Sequence, residues 1–272
     1  SIELKLVCYL GIERDVIVTN ITLIMKRNNY YTLFGLNNII SVLEADECLD
    51  INVYIMKGSI SDRNTKLIEL IKQKEISFKV LEKKVFNKKF SEERNQGVAV
   101  SFYYDLVKTN IPDFFNKKNS CYLVLDQISD PQNFGQIIRT AECSGVDGII
   151  YSKHNSAPVT NSVLQVSQGA FLNISIFEVS NIKNEIKKMK KSGFWSIGIE
   201  NGISVSNWFE LDYKGKIIIV FGSEGKGIRH KVLESCDFKG TIEMQGKTNS
   251  LNVSASVSAI LFERLRQIKT IV

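Results

Sequence analysis

The chain is predicted to be an α/β protein built on a parallel sheet, with a smaller α/β domain ahead of it. After residue 120, short apolar runs alternate with runs of helical period. One of them, Ile217-Ile218-Ile219-Val220-Phe221, is apolar at every position, as a strand covered on both faces must be. A stretch around Pro112 that is rich in Lys and Asn separates this part from a shorter αβ pattern upstream.

Residues 1–29 are set apart as an N-terminal extension. They begin with Ser, carry an apolar run from Val16 to Met25 and lead into Met25-Lys26-Arg27. Residues 1–24 read either as foreign to the natural chain, with Met25 as its start, or as an extra strand pair. The first domain is expected over residues 30–104. Leu36, Ile39, Ile40 and Leu43 fit a helix, Val53-Tyr54-Ile55 a strand, and Lys66 to Lys74 a helix with Leu67, Leu70 and Ile71 on one face. Phe78 to Leu81 and Gly97 to Phe102 read as further strands. Residues 105–119 are the expected linker. In the second domain, 120–272, strands are expected at Tyr122–Asp126, Gly148–Tyr151, Ile174–Phe177, Trp195–Ile199 and Ile217–Phe221. Helices are expected at Gly135–Cys143, Ser162–Gln168, Ile182–Lys191, Arg229–Glu234 and Ser254–Arg266.

Composition narrows the function classes. Of 272 residues, 44% are hydrophobic and 24% charged, with 3 Pro and 17 Gly, which excludes collagen-like and low-complexity chains. The formal charge of +6 is compatible with a polyanionic partner, and nearly all of the excess lies after residue 115. Five scattered cysteines with no CxxC point to reduced thiols in a cytosol-like compartment. Two histidines, His154 and His230, are too few for a His-rich metal site, so no metal is expected. No charge-free apolar stretch is long enough for a membrane span.

Three polar segments follow strands in the second part, where open parallel sheets bind ligands. Asp130-Pro131-Gln132-Asn133-Phe134-Gly135 leads into a helix carrying Ile138-Arg139-Thr140-Ala141. Asn133 fits a helix N-cap, and Arg139 reads either as a solvated or paired arginine or as a functional one. Gly222-Ser223-Glu224-Gly225-Lys226-Gly227 follows the most apolar strand. Its glycine spacing is neither a Walker loop nor a dinucleotide fingerprint, so it is a tight turn or a loop letting backbone approach a ligand. Ile242-Glu243-Met244 leads to Ser250-Leu251-Asn252-Val253-Ser254, where Ser250 or Asn252 fits a cap.

In this order and spacing, the three segments resemble the three motifs of the SpoU (TrmH) family of RNA ribose 2′-O-methyltransferases, within the SPOUT superfamily. The resemblance runs from Cys121 to Arg266. More loosely, Leu33-Phe34-Gly35-Leu36-Asn37-Asn38-Ile39-Ile40 and Asn95-Gln96-Gly97-Val98-Ala99 resemble the beginning and end of the family's small substrate-binding domain. Asn95 stands where that pattern usually has His.

The resemblance implies a SPOUT domain with a C-terminal trefoil knot, although knots are otherwise essentially absent from proteins. It implies S-adenosyl-L-methionine as cofactor, held by Gly222, Ile242, Met244 and Leu251. The implied substrate is a ribose 2′-hydroxyl, most similarly a guanosine of 23S rRNA; a tRNA substrate, or a non-catalytic ribosome-assembly role, is the alternative. The implied catalytic set is Arg139, Asn133, Glu224, Ser250 and Asn252, the last four orienting Arg139 and the ribose. Deprotonating a guanidinium costs about 7 kcal/mol at neutral pH, which favours Arg139 as a positioner over a base. A cytoplasmic homodimer is implied as well. The run Ser254 to Phe262, with Ala255 and Ala259, is expected at its interface because small residues admit a second helix.

Overall fold

A computed structural model of the chain describes residues 29–91, 95–112, 118–203 and 205–269. The N-terminal extension, but for Asn29, lies outside the described residues. The chain divides into two compact units, with the boundary between Asp105 and Leu106.

The first unit runs β1 (Tyr30–Phe34), α1 (Leu36–Glu44), β2 (Leu49–Met56), α2 (Thr65–Gln73), β3 (Ser77–Leu81), α3 (Lys83–Lys89) and β4 (Val98–Tyr103). Its sheet has the order β1-β4-β2-β3. β4 is antiparallel to β1 and β2, while β3 is parallel to β2. Alternation along the strands separates two apolar faces. Tyr54, Met56 and Ala99 pack with Phe86 and Phe90 around α3, and Val53 and Ile55 are buried on the other side. Two elements escape a periodicity reading. β1 is separated from the first helical repeat by Gly35 alone, so its run merges with the helix that follows, and α3 has a single buried anchor, Phe86, among four lysines.

The second unit runs β5 (Val107–Lys108), β6 (Ser120–Asp126), α4 (Pro131–Cys143), β7 (Gly148–Ser152), α5 (Asn161–Ser167), β8 (Ser175–Val179), α6 (Ile182–Lys191), β9 (Trp195–Ile199), β10 (Ser206–Asn207), β11 (Lys216–Gly222), α7 (His230–Leu233), β12 (Phe238–Thr241) and α8 (Val253–Lys269). The strand order is β10-β12-β9-β11-β6-β7-β8-β5, and every neighbouring pair is parallel. β6 and β7 are buried at every residue, as the apolar runs require. Tyr122, Val124, Ile150, Phe177, Ile218 and Val220 point to one face, where α6 contributes Ile182, Ile186 and Met189 and α7 Val232. The next residues along the strands point oppositely, where the Tyr151 ring meets Phe134 of α4 and α8 packs on α4.

The 105–119 stretch is tied to this second unit at both ends. Val107 and Lys108 pair with Ile176 and Phe177 of β8, and Asn119 Oδ1 accepts the Gly215 amide at 2.9 Å. Two residues of strand are too short to register as alternation. Cys48, Cys121, Cys143 and Cys236 are free thiols. Burial pushes those of Cys121 and Cys236 up to about 12, which suits packing groups rather than nucleophiles.

α4 is also pressed closely against α5. A Cβ placed on Gly135 would lie 2.6 Å from the Val163 carbonyl oxygen and 2.6 Å from the Val166 Cβ. Gly135→Ala should therefore destabilise the protein by about 1–3 kcal/mol through overpacking. Urea unfolding checks this, and an unchanged midpoint would contradict the contact.

Candidate active site

The site is assembled where parallel neighbours end together. Asp126 closes β6 and Gly222 closes β11, and the two are paired in register. Asp126 is fully buried, and its carboxylate accepts the Arg229 backbone amide at 2.9 Å and lies 2.7 Å from Arg229 Nη2. This ion pair ties the end of β6 to the entry of α7, so the two connecting segments share one anchor. Beyond Asp126 the chain turns through Gln127, whose φ is 66°, and enters α4.

The N-cap of α4 is Asp130, not Asn133. Asp130 Oδ1 accepts the Gln132 amide at 2.9 Å, and Pro131 takes the first helical position, where its missing N–H costs nothing. Asn133 is thereby moved one turn inward and buried, with its amide free for other partners. Its Nδ2 donates to Glu224 Oε1 in the loop after β11. Asn252 Nδ2 lies 3.0 Å from Asn133 Oδ1 and 3.1 Å from the same Glu224 oxygen. Asn252 is itself the cap of α8, because its Oδ1 accepts the Ser254 amide at 2.8 Å. Ser254 Oγ lies 2.8 Å from Gln136 Oε1, a second link between α8 and α4. Capping and clustering are thus two uses of one side chain.

Beside this cluster lies a cavity of about 270 Å³ at the ends of β9 and β11. Gly222, Ser223, Glu224, Ser250 and Leu251 line it, as do Ile199 and Glu200. The loop Gly222–Gly227 doubles back, with Ser223 N donating to Gly227 O at 3.2 Å and Gly227 N to Ser223 O at 2.9 Å. A Cβ on Gly222 would fall 2.0 Å from the Gly227 carbonyl carbon, so only glycine lets the loop close against its own strand.

Asn133, Glu224 and Asn252 are brought together, and Gly222, Ser250 and Leu251 share one cavity wall. Arg139 is not held by them. Its side chain is exposed, and among the described residues no hydrogen bond or ion pair engages it. The amides expected to orient it are occupied with one another and with Glu224. Ile242 is buried just past β12 and Met244 is half-buried, but neither is among the residues lining the cavity. Glu200 was missed, although it directly follows Trp195–Ile199 and the same strand-end rule applies to it. Ser256 was missed because it lies inside a helix, where pattern reading assigns small residues to packing.

The comparisons agree with this architecture. Residues 120–262 match the family model described as the SpoU rRNA Methylase family. The chain belongs to that family. Residues 32–102 match the model described as RNA 2′-O ribose methyltransferase substrate binding. The 23S rRNA (guanosine-2′-O-)-methyltransferase RlmB of Shewanella oneidensis is 32% identical over 238 residues, covering 86% of this chain and 96% of that one. An uncharacterised tRNA/rRNA methyltransferase of Mycoplasma pneumoniae is 34% identical over 224 residues, covering 79% and 91%. Among solved structures, the SpoU methyltransferase AviRb from Streptomyces viridochromogenes, in complex with AdoMet, superposes with a TM-score of 0.74. It covers 89% of this chain and 91% of that one at 18% identity, which speaks for the fold. This SpoU-family chain therefore carries both the methylase and the substrate-binding modules.

Asn252 is the residue on which the cluster turns. Asn252→Ala should lower stability by about 1–2 kcal/mol through loss of the cap and of its bonds to Asn133 and Glu224. Asn252→Asp keeps the capping oxygen but sets a second carboxylate against Glu224, raising the folded-state pKa of the pair. Its deficit should be largest at neutral pH and shrink as pH falls towards 4. Unfolding midpoints at pH 7.5 and 4.5 test this; an equal deficit at both would refute the contact.

Proposed function

We propose that this SpoU-family protein methylates a ribose 2′-hydroxyl in RNA with S-adenosylmethionine, its substrate being a guanosine of 23S rRNA. The observation that carries this reading is the cluster of Asn133, Glu224 and Asn252, which ties the three motif segments together beside a cavity that the second and third of them line. Coverage of 96% of RlmB of Shewanella oneidensis, with both modules, supports the choice of rRNA.

The cavity fits the cofactor in its chemistry. Ile199, Phe221, Leu251 and Val253 give apolar wall for an adenine ring. Ser223 Oγ is buried with no hydrogen-bond partner among the described residues, an orphan that a ligand would satisfy. When bound, S-adenosylmethionine supplies an electrophilic methyl on a sulfonium. Gly222 and Leu251 would hold it, and Ile242 and Met244 would act by supporting the segments around them. We also infer the trefoil knot of the family: α8 returns after β12 to pack on α4 and beside β11, as a chain end tucked back against earlier elements requires.

The remaining chemistry belongs to the chain. Fixing two reactants in an aligned geometry supplies about 7–11 kcal/mol. Arg139, exposed and without an internal partner among the described residues, offers its guanidinium to RNA phosphate and to the reacting hydroxyl. Asn133 and Asn252 hold Glu224 in place, and its Oε2, unpaired among the described residues, accepts a hydrogen bond from the ribose. Ser250, exposed at the cavity mouth, adds a second polar contact. The first unit recognises the RNA. No helix among the described residues is long and apolar enough to cross a membrane, and none of their acidic, His and Cys side chains group as a metal site; the reading needs neither.

Arg139→Ala should abolish methyl transfer to rRNA while cofactor affinity by calorimetry stays within a few-fold. Parallel loss of both would show that Arg139 serves the cofactor instead. Methyl recovered on a base rather than a ribose would reject the reading as a whole.

The active form is a homodimer through α8. That helix buries Val253, Val257, Ile260 and Leu261 in its own unit but leaves Ala255 and Phe262 exposed, a second face one turn from Ala259. Ala255→Glu should convert the dimer to monomer and reduce turnover together. Light scattering that finds a fully active monomer would reject it.

A further inference from the structure

The cavity is acidic in a basic protein. Two carboxylates, Glu200 and Glu224, line it, and among the described residues its lining contains no lysine, arginine or histidine, while the chain as a whole carries +6. Glu200 is fixed there by the backbone. Its Oε2 accepts the Ile228 amide at 2.6 Å, and its Oε1 accepts the Asn201 amide at 3.2 Å. Room for it depends on Gly227, where a Cβ would sit 2.3 Å from Glu200 Oε2. The carboxylate is therefore part of the wall rather than a solvated side chain that swings away. A fixed charge beside a cavity favours a ligand of opposite charge far more than a mobile, hydrated one does.

We infer that Glu200 makes the cavity select its occupant by charge, holding a cationic sulfonium or ammonium ligand in preference to the neutral thioether. This rests on the cofactor reading above. When the methyl's bond to sulfur breaks and its bond to the ribose oxygen forms, the hydroxyl proton passing to water, the sulfonium becomes an uncharged thioether. The attraction to Glu200 is lost at that moment, so the cavity favours exchange of spent cofactor for fresh. Glu224 adds to the field, but replacing it would also disturb the side chains of Asn133 and Asn252; Glu200 is held by backbone amides, which leaves it as the separable determinant.

Calorimetry on the full-length protein tests this with three ligands: S-adenosylmethionine, its ammonium analogue sinefungin, and the neutral S-adenosylhomocysteine. The two cations should bind about tenfold more tightly than the thioether, equivalent to about 1.4 kcal/mol. Glu200→Gln, nearly isosteric and still able to accept the Ile228 amide, should bring all three within two- to threefold. Glu200→Asp, which keeps the charge, should retain the preference. Thioether binding as tight as that of the cations in the unmodified protein would overturn the inference while leaving the cofactor site standing, and that comparison needs no variant to fold. A preference unchanged in Glu200→Gln would overturn the role of Glu200. Binding of none of the three would remove the cofactor reading, and this inference with it.

Discussion

The side-chain amide of Asn252 joins parts of the chain that are far apart in sequence. Its oxygen caps α8, and its nitrogen reaches Asn133 on α4 and Glu224 after β11. A helix start needs a cap in any fold, since its first amides lack intrahelical partners. Here the cap satisfies that general need and simultaneously fixes how far apart α4, α8 and the loop after β11 can stand. The cavity wall depends on that spacing, because Ser250 and Leu251 are carried by the segment that Asn252 anchors. Stability and site geometry are consequently not separable at this residue, whereas they are at Arg139, which takes part in no internal hydrogen bond among the described residues.

A second constraint is close approach of backbone. Gly222, Gly227 and Gly135 each occupy a place where a Cβ would come within 2.6 Å of a neighbouring atom. At Gly222 the neighbour is the loop's own return; at Gly227 it is the Glu200 carboxylate; at Gly135 it is α5. Each glycine is selected by what stands opposite it, so their spacing along the chain follows three separate contacts. That is why the run Gly222 to Gly227 matches no nucleotide-binding fingerprint while still lining the cavity.

Much of this was legible from residues alone, for identifiable reasons. The strand at Ile217–Phe221 is buried on both faces, and burial on both faces leaves a continuous apolar run. The helix at Ile182–Lys191 buries Ile182, Ile186 and Met189 at helical spacing against lysines, a pattern that has no other reading. What stayed hidden was local or long-range. β5 has only two residues, and α3 one apolar anchor. Asn133 looked like a cap because it precedes the apolar residues, yet Asp130-Pro131 starts the helix earlier. The partnership of Asn133 with Asn252 spans 119 residues, and no spacing rule reaches that far. Only the family resemblance put the three segments together in advance; it nominated Ile242 and Met244 beside Gly222 and Leu251, while the cavity is lined by Gly222 and Leu251 together with Glu200 and Ser256.

The electrostatics of the chain divide along the same lines. An RNA substrate is a polyanion, and a positive surface draws it in with a strength that falls as salt rises. A cationic ligand requires the reverse, and is repelled by a surface positive enough to draw in RNA. The two demands are met by depth. Arg139 is exposed on α4, where its guanidinium faces solvent. Glu200 is held in the wall by the amides of Ile228 and Asn201, beyond the loop that closes on Gly222. A charge at the surface is screened within about 8 Å at physiological salt, while one held in a wall is screened much less. Attraction of RNA should therefore weaken steeply with ionic strength, while the cavity's preference for a cation persists.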